Sequence, residues 1–375
     1  MALTKYTLGD LLDRNKETNF DLKYGIADVR GVLNTKGISS TKVSVEDRDL
    51  SKFLVVRSGG FIFNHRVHDK LGLGYNTSSD TYIFTNDYVS FYIKPELKET
   101  VLLPDYLYIW FLRPEFDRYM LFKTYGSATL FFNWDNMCEL EIRLPDISVQ
   151  RKYVAIYQAM VSNQQSYEHG LEDLKLVCDG YIEDLRRRIP SKRIGPFLKM
   201  SDKRNDSNLS VEYVRGISTG KELIDTKANM DGVSLDNYKT VLPGQIAFVS
   251  DTSRRGDKIS LALNDSDKPI LVSSISIVFG TDPDQLLPEY LMLFFKREEF
   301  DRYARFHSWG SARETFDWDE MCNVRIPIPD IEVQKAIANI FSVYITRKRI
   351  NEQLKQRIKN ICPILIKGSL EEGKL

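Results

Sequence analysis

The chain is one unit written twice. Leu102–Tyr157 aligns without a gap on Leu286–Phe341, at an offset of 184 positions, and half of the aligned residues are identical. A repeat with the period of a whole domain excludes solenoids and propellers. At 375 residues the chain also exceeds what one core usually holds, so two tandem domains are expected. The repeat continues upstream: Val29–Val32 (VRGV) matches Val214–Ile217 (VRGI), and Leu8-Gly9 matches Ile194-Gly195. The segments SGGFIF (Ser58–Phe63) and PGQIAF (Pro243–Phe248) both carry a glycine turn into an apolar strand. Between these anchors the copies diverge, at Asn64–Tyr82 in one and Val249–Lys268 in the other. A similar frame therefore holds two different middles.

Composition narrows the class. Hydrophobic content of 42% with 28% charged residues is that of an ordinary globular protein. No apolar run approaches the roughly 20 residues that span a bilayer; Tyr106–Leu112 is short and flanked by Asp105 and Arg113. The N-terminal segment has no apolar signal region, so a cytoplasmic protein without a membrane partner is expected. The net charge is zero, so any nucleic-acid partner requires charge segregated onto one face. Cys138, Cys178, Cys322 and Cys362 are two repeat positions seen twice, and read as small buried hydrophobes rather than disulfides or zinc ligands. His65 and His68 have metal-compatible spacing but no second ligand pair, so no metal site is expected.

Each copy ends in a helical stripe. Leu171, Leu174, Cys178, Tyr181 and Leu185 recur at spacings of three and four, as do Leu354, Ile358, Ile361 and Leu365. That is the seam of a coiled coil or long helix pair. Asp146 and Asp330 are the expected N-caps, giving helices of about 40 residues, or about 60 Å. Pro190 ends the first, and Pro363 predicts a kink or an earlier stop in the second. With short β-rich runs and a helix at Asp105–Lys123 or Glu289–His307, the fold class is α+β: a globular domain, then a long helix, twice. The expected boundaries are 1–146, 147–189, 190–330 and 331–375.

Catalytic signatures are missing. The sequence has no phosphate-binding GxxxxGK[ST], no GxGxxG opening a helix, no HExxH, no GxSxG and no adenine-methyltransferase Asn/Asp-Pro-Pro-Tyr/Phe segment. Asp146 with Asp173 and Lys175 imitates a nuclease pattern, but the second copy has Arg357 and Lys359 at the latter two positions, so a solvated helix face is the better reading. Trp134 and Trp318 read as anchors of the domain core against the long helix. The triplets Gly126-Ser127-Ala128 and Gly310-Ser311-Ala312 read equally as a helix-ending turn or as a loop presenting N–H and hydroxyl groups to phosphate beside Lys123 or Arg313. In the divergent middles, Asn64, His65, Arg66, Lys70 and Asn76 face Arg254, Arg255 and Lys258 as the corresponding polar sets. These are either surface loops or base readers, since Arg suits guanine and Asn suits adenine.

Taken together, the tandem copies, the shared ending GSA-x3-F-x-W-D-x-M-x4-I-x2-P-D-I-x-V-Q (Gly126–Gln150, Gly310–Gln334) and the long helix after it resemble the specificity (S) subunit of type I restriction–modification systems. Where that family typically carries two prolines before the helix, this chain has one, at Pro145 and Pro329. The resemblance covers essentially the whole chain. It implies two target recognition domains, each followed by a helical spacer, with the helices packed as an antiparallel coiled coil in pseudo-twofold symmetry. Leu171, Leu174, Tyr181 and Leu185 are expected to face Leu354, Ile358, Ile361 and Leu365. It further implies a non-catalytic chain that reads a bipartite, asymmetric site in double-stranded DNA. Two methyltransferase (M) subunits and restriction/translocase (R) subunits would join it. S-adenosylmethionine, ATP and Mg would bind those partners, and this chain would bind no cofactor. Two other readings stand beside it: an S-like module of a different defence system, and a scaffold that binds protein rather than DNA.

Overall fold

The computed structural model describes residues 3–41, 45–126, 129–226, 228–252, 258–310 and 314–374. It divides into two compact units, each assembled from separate stretches of chain. The first comprises Met1–Ser166 with Asn351–Leu375, and the second Tyr167–Ile350.

In the first unit a four-stranded antiparallel sheet has the order Leu12–Asn15, Tyr88–Ile93, Phe61–Asn64, Leu73–Tyr75. In the second the order is Leu198–Ser201, Ile277–Thr281, Ile246–Val249, Ser260–Leu263. The glycine turns place these strands: Gly59 and Gly244 have φ of 80° and 79°, which side chains with a Cβ rarely adopt. One sheet face carries Phe61, Phe63 and Phe91, or Phe248 and Phe279, and buries them beneath the Pro104–Phe111 or Pro288–Phe295 helix. Trp134 and Trp318 pack onto that sheet, with ring centroids 5.6 Å from Phe91 and 5.5 Å from Phe279.

The shared Leu-Gly and Ile-Gly pairs have a steric origin. A Cβ on Gly9 would lie 3.1 Å from that of Cys138, and one on Gly195 would lie 2.8 Å from that of Cys322. The four cysteines are free thiols; Cys178 and Cys362 are buried.

The long helices run Ile147–Arg188 and Ile331–Glu372. Asp146 accepts from the Ser148 N–H at 2.8 Å and Asp330 from the Val333 N–H at 3.1 Å, so both cap as expected. In each unit the start of one helix lies antiparallel to the end of the other. Lys152 reaches Glu372 at 2.8 Å and Gln164 donates to Asn351 at 2.9 Å in the first unit; Arg347 lies over the Tyr167 ring in the second.

Four expectations change. The helix expected at Asp105–Lys123 is two helices, Pro104–Phe111 and Pro114–Lys123, and the one expected at Glu289–His307 is Pro288–Phe295 and Glu298–Phe306. Leu171, Leu174 and Leu185 belong to the second unit, and Leu354, Ile358, Ile361 and Leu365 to the first, so these sets are not partners. Antiparallel helices of equal length pair beginnings with ends, and the expected match joined two ends. Tyr181 is 47% exposed while Ile182 is buried, so the stripe passes through Ile182. Pro363 does not stop its helix. Cys362, Leu365, Ile366 and Ser369 are all buried in the first unit, and that packing outweighs the roughly 3 kcal/mol cost of an interior proline.

Candidate nucleic-acid interface

In the first unit the strand Arg66–Val67 leaves the sheet and pairs antiparallel with Leu130–Phe131, setting Phe131 opposite Arg66. The Phe132 N–H donates to the His65 carbonyl at 2.9 Å, and Tyr125 and Phe131 exchange two backbone bonds at 3.1 and 2.8 Å. The divergent middle and the GSA segment, far apart in sequence, are thus stitched side by side. Phe132 anchors the stitch: it is fully buried, 6.0 Å from Phe63. Gly126 makes the turn possible, with φ of 117° and a Thr129 carbonyl where a Cβ would stand.

The second unit repeats the device with different residues. Phe316 donates to the Ser250 carbonyl at 2.8 Å, Thr252 to the Glu314 carbonyl at 3.2 Å, and Trp309 and Thr315 exchange bonds at 3.1 and 3.0 Å. Phe316 is fully buried, 6.4 Å from Phe248, and Gly310 has φ of 137°.

On this frame the candidate residues separate. His65 stacks on Phe131 with centroids 5.5 Å apart, and its Nδ1 meets the Asp87 carbonyl. Arg66 is exposed, 3.5 Å from the Asp87 carboxylate, and Asn64 accepts from the Arg66 N–H at 3.0 Å. Lys123 pairs with Glu139 at 2.9 Å, and that hydrogen bond holds its ammonium above the ordinary lysine value. With Arg14, Asn86, Tyr88 and Tyr125, His65 and Phe131 line a groove of about 280 Å³. Lys70 is exposed near Lys36. Lys258 borders a separate cavity where the second globular domain meets its helices. Ser127, Arg254, Arg255, Ser311 and Arg313 lie outside the described residues.

Asn76 is a frame residue, not a free reader. It is buried, its Nδ2 donates to the Val56 and Asp80 carbonyls at 3.1 and 2.8 Å, and its Oδ1 accepts from Ser78. Asn264 makes the same bonds in the second unit, to Val241, Lys268 and Ser266. With its polar atoms committed, Asn76 has no edge to offer a base.

Two features escaped the sequence reading. Phe122 and Phe306 occupy one repeat position and are 83% and 77% exposed; Tyr125 and Trp309 occupy another and are 56% and 64% exposed. The signal was the retained aromatic character at both positions of the alignment. The other is a buried ion pair in each unit, Lys36–Asp117 at 2.6 Å and Lys221–Asp301. Both lysines have positive φ, 63° and 62°, and both carboxylates come from the helix after the first domain helix. Among the described residues no group of three or more His, Cys, Asp or Glu side chains could hold a metal. No described helix is long and apolar enough to cross a membrane.

The geometry of repeated frame and divergent edge has a counterpart among known proteins. Residues 196–360 match the profile of the type I restriction modification DNA specificity domain. That stretch, a little under half of the chain, is similar to the type I restriction–modification DNA specificity domain. The other half repeats the matched one in sheet order, stitch and capped helix. A crystal structure of a type I restriction–modification S subunit from M. genitalium is similar over 100% of this chain and 96% of that one, with a TM-score of 0.58 at 10% identity. At that identity the likeness concerns the specificity fold alone. Two further structures align over 98% of this chain at 14% identity: the HsdS subunit from Thermoanaerobacter tengcongensis, TM-score 0.37 over 96% of its chain, and a chain from a study of type I R-M complex assembly and conformational transition, TM-score 0.47 over 98%. No curated protein sequence matches the chain.

Proposed function

We propose that this chain is the non-catalytic specificity subunit of a type I system, and that each unit reads one half of a bipartite, asymmetric DNA site. The observation that carries the proposal is the stitched edge. The same fold device occurs twice, and only the residues it presents differ, as two readers of two sequences require. Arg66, His65 and Asn64 would serve one half-site; Lys123, with Gly126 and Gly310 at the turns, would meet phosphate, which positions but does not specify. Arg254, Arg255 and Lys258 would serve the other half-site, with Ser127, Ser311 and Arg313 as further donors to phosphate. Two M subunits and R subunits would dock on the chain, carrying S-adenosylmethionine, ATP and Mg themselves. The exposed aromatics support partner docking. Phe122/Tyr125 and Phe306/Trp309 are alike in both units, and a surface presented twice suits a partner that binds twice.

The test exchanges Lys23–Phe91 for the matching segment of a relative and maps DNA methylation in cells carrying the M subunit. The first half-site should change while the second half-site and the spacer stay fixed. A change in both halves, or in neither, would overturn the two-reader proposal. Binding of purified complex to duplex DNA should also weaken steeply with salt.

A further inference from the structure

A cavity of about 390 Å³ lies within the second unit. Its walls are the turn Thr219–Glu222, the junction of the Pro288–Phe295 and Glu298–Phe306 helices, and helix segments around Cys178 and Phe341. Lys175, Lys258, Lys296, Arg302 and Lys348 border it, and among the described residues none has a carboxylate within 4.0 Å. Of the acids on the same walls, Asp301 pairs with Lys221, while Asp179 and Glu299 share Arg297. The walls carry seven basic and five acidic side chains, so their net charge is cationic. Arg297 also keeps a buried Nη1 with no hydrogen-bond acceptor.

The repeat shows that the frame does not need this charge. Lys296 aligns with Leu112, which packs on the first unit's core, and Lys348 aligns with Gln164, which is hydrogen-bonded to Asn351. Lys296 is half-buried and has no ion-pair partner among the described residues; its ammonium sits 5.9 Å from the Phe341 ring centroid. Burial holds it below the ordinary lysine value, a cost that leucine avoids.

We propose that this cavity binds a small phosphorylated anion, either a free nucleotide or an inorganic polyphosphate. Several converging lysines suit multivalent phosphate as point charges, whereas one carboxylate would leave most of them unmatched. The volume lies in the range of small-ligand pockets.

The test is calorimetric titration of the full chain with ATP, with tripolyphosphate and with AMP. ATP and tripolyphosphate should bind, with affinity falling as salt rises, and AMP should bind at least tenfold more weakly. A clear preference for ATP would identify a nucleotide site; equal binding would identify polyphosphate. Lys296→Leu, which restores the residue the first copy uses, should weaken binding tenfold or more. Lys348→Gln, an exposed change that carries the test if Lys296→Leu fails to fold, should do the same with an unchanged thermal midpoint. No binding of either polyphosphate, or unchanged binding in the folded variants, would overturn the proposal. So would displacement of the anion by duplex DNA with both affinities lost together in Lys348→Gln, because the cavity would then belong to the DNA surface.

Discussion

The Lys36 ammonium lies 2.6 Å from the Asp117 carboxylate, with only 4% and 15% of the two side chains exposed. This pair pins the hairpin Arg30–Ser40 to the Pro114–Lys123 helix, and Lys221 with Asp301 repeats the arrangement. A buried pair is strongly destabilised when one member is removed, because the other charge is left without a partner. Lys36→Met alone should cost about 3–5 kcal/mol. The double variant Lys36→Met/Asp117→Leu should recover much of that loss. Denaturant midpoints for the three variants check this; equal losses in the single and double variants would refute it.

The corrected stripe gives a sharper contrast. Ile182→Ala should cost about 2–5 kcal/mol, since the side chain sits in the second core. Tyr181→Ala, one residue earlier, should change stability by no more than about 0.5 kcal/mol. Thermal unfolding of the pair distinguishes the two assignments directly.

Phe122→Ser and Phe306→Ser should leave the fold intact, within about 0.5 kcal/mol, because both rings are largely in solvent. If they are docking surfaces, each should weaken assembly with the methyltransferase subunit, and the double variant more than either alone. Sedimentation of mixed subunits reads the outcome; unimpaired assembly of the double variant would remove these residues from the interface.

Acid should destabilise the first unit through its caps. Hydrogen bonds from the Ser148 hydroxyl and N–H hold Asp146 below the ordinary carboxylate value, Thr7 does the same for Asp10, and Lys152 for Glu372. A carboxyl lowered in the folded state adds stability that is fully present above its unfolded pKa, about 4, and is lost as pH falls through the folded value. Urea midpoints should therefore drop below about pH 4, and Asp146→Asn should make that limb shallower.

What the sequence made legible follows from what periodicity and repeats encode. The tandem α+β units and the capped long helices were readable because each leaves a pattern along the chain; of the four cysteines expected to be buried, Cys178 and Cys362 are, whereas Cys138 and Cys322 are partly exposed. The stitch between Arg66–Val67 and Leu130–Phe131 was not, since pairing across some sixty residues leaves no local signature. Asn76 looked like a reader because asparagine suits adenine, and only its three bonds within the fold reveal the other role. Gln150 of the shared ending carries no local sign of its role. It is fully buried and binds Val101, Leu103 and Pro145, as Gln334 binds Gln285, Leu287 and Pro329, so it fixes each long helix to its own domain.

The hydrogen bond between the Tyr106 hydroxyl and Ser369, 2.7 Å long and 263 residues apart in sequence, has a consequence for biosynthesis. Cys362, Leu365 and Ile366 complete the core that Leu8 and Leu11 begin. At ribosomal speeds of about 5–20 residues per second, the first domain waits about 10–40 s for the helix that closes it. During that interval the Pro104–Phe111 helix, which meets Ser369 through Tyr106, lacks part of its cover. The domain that is synthesised first is the one that finishes last.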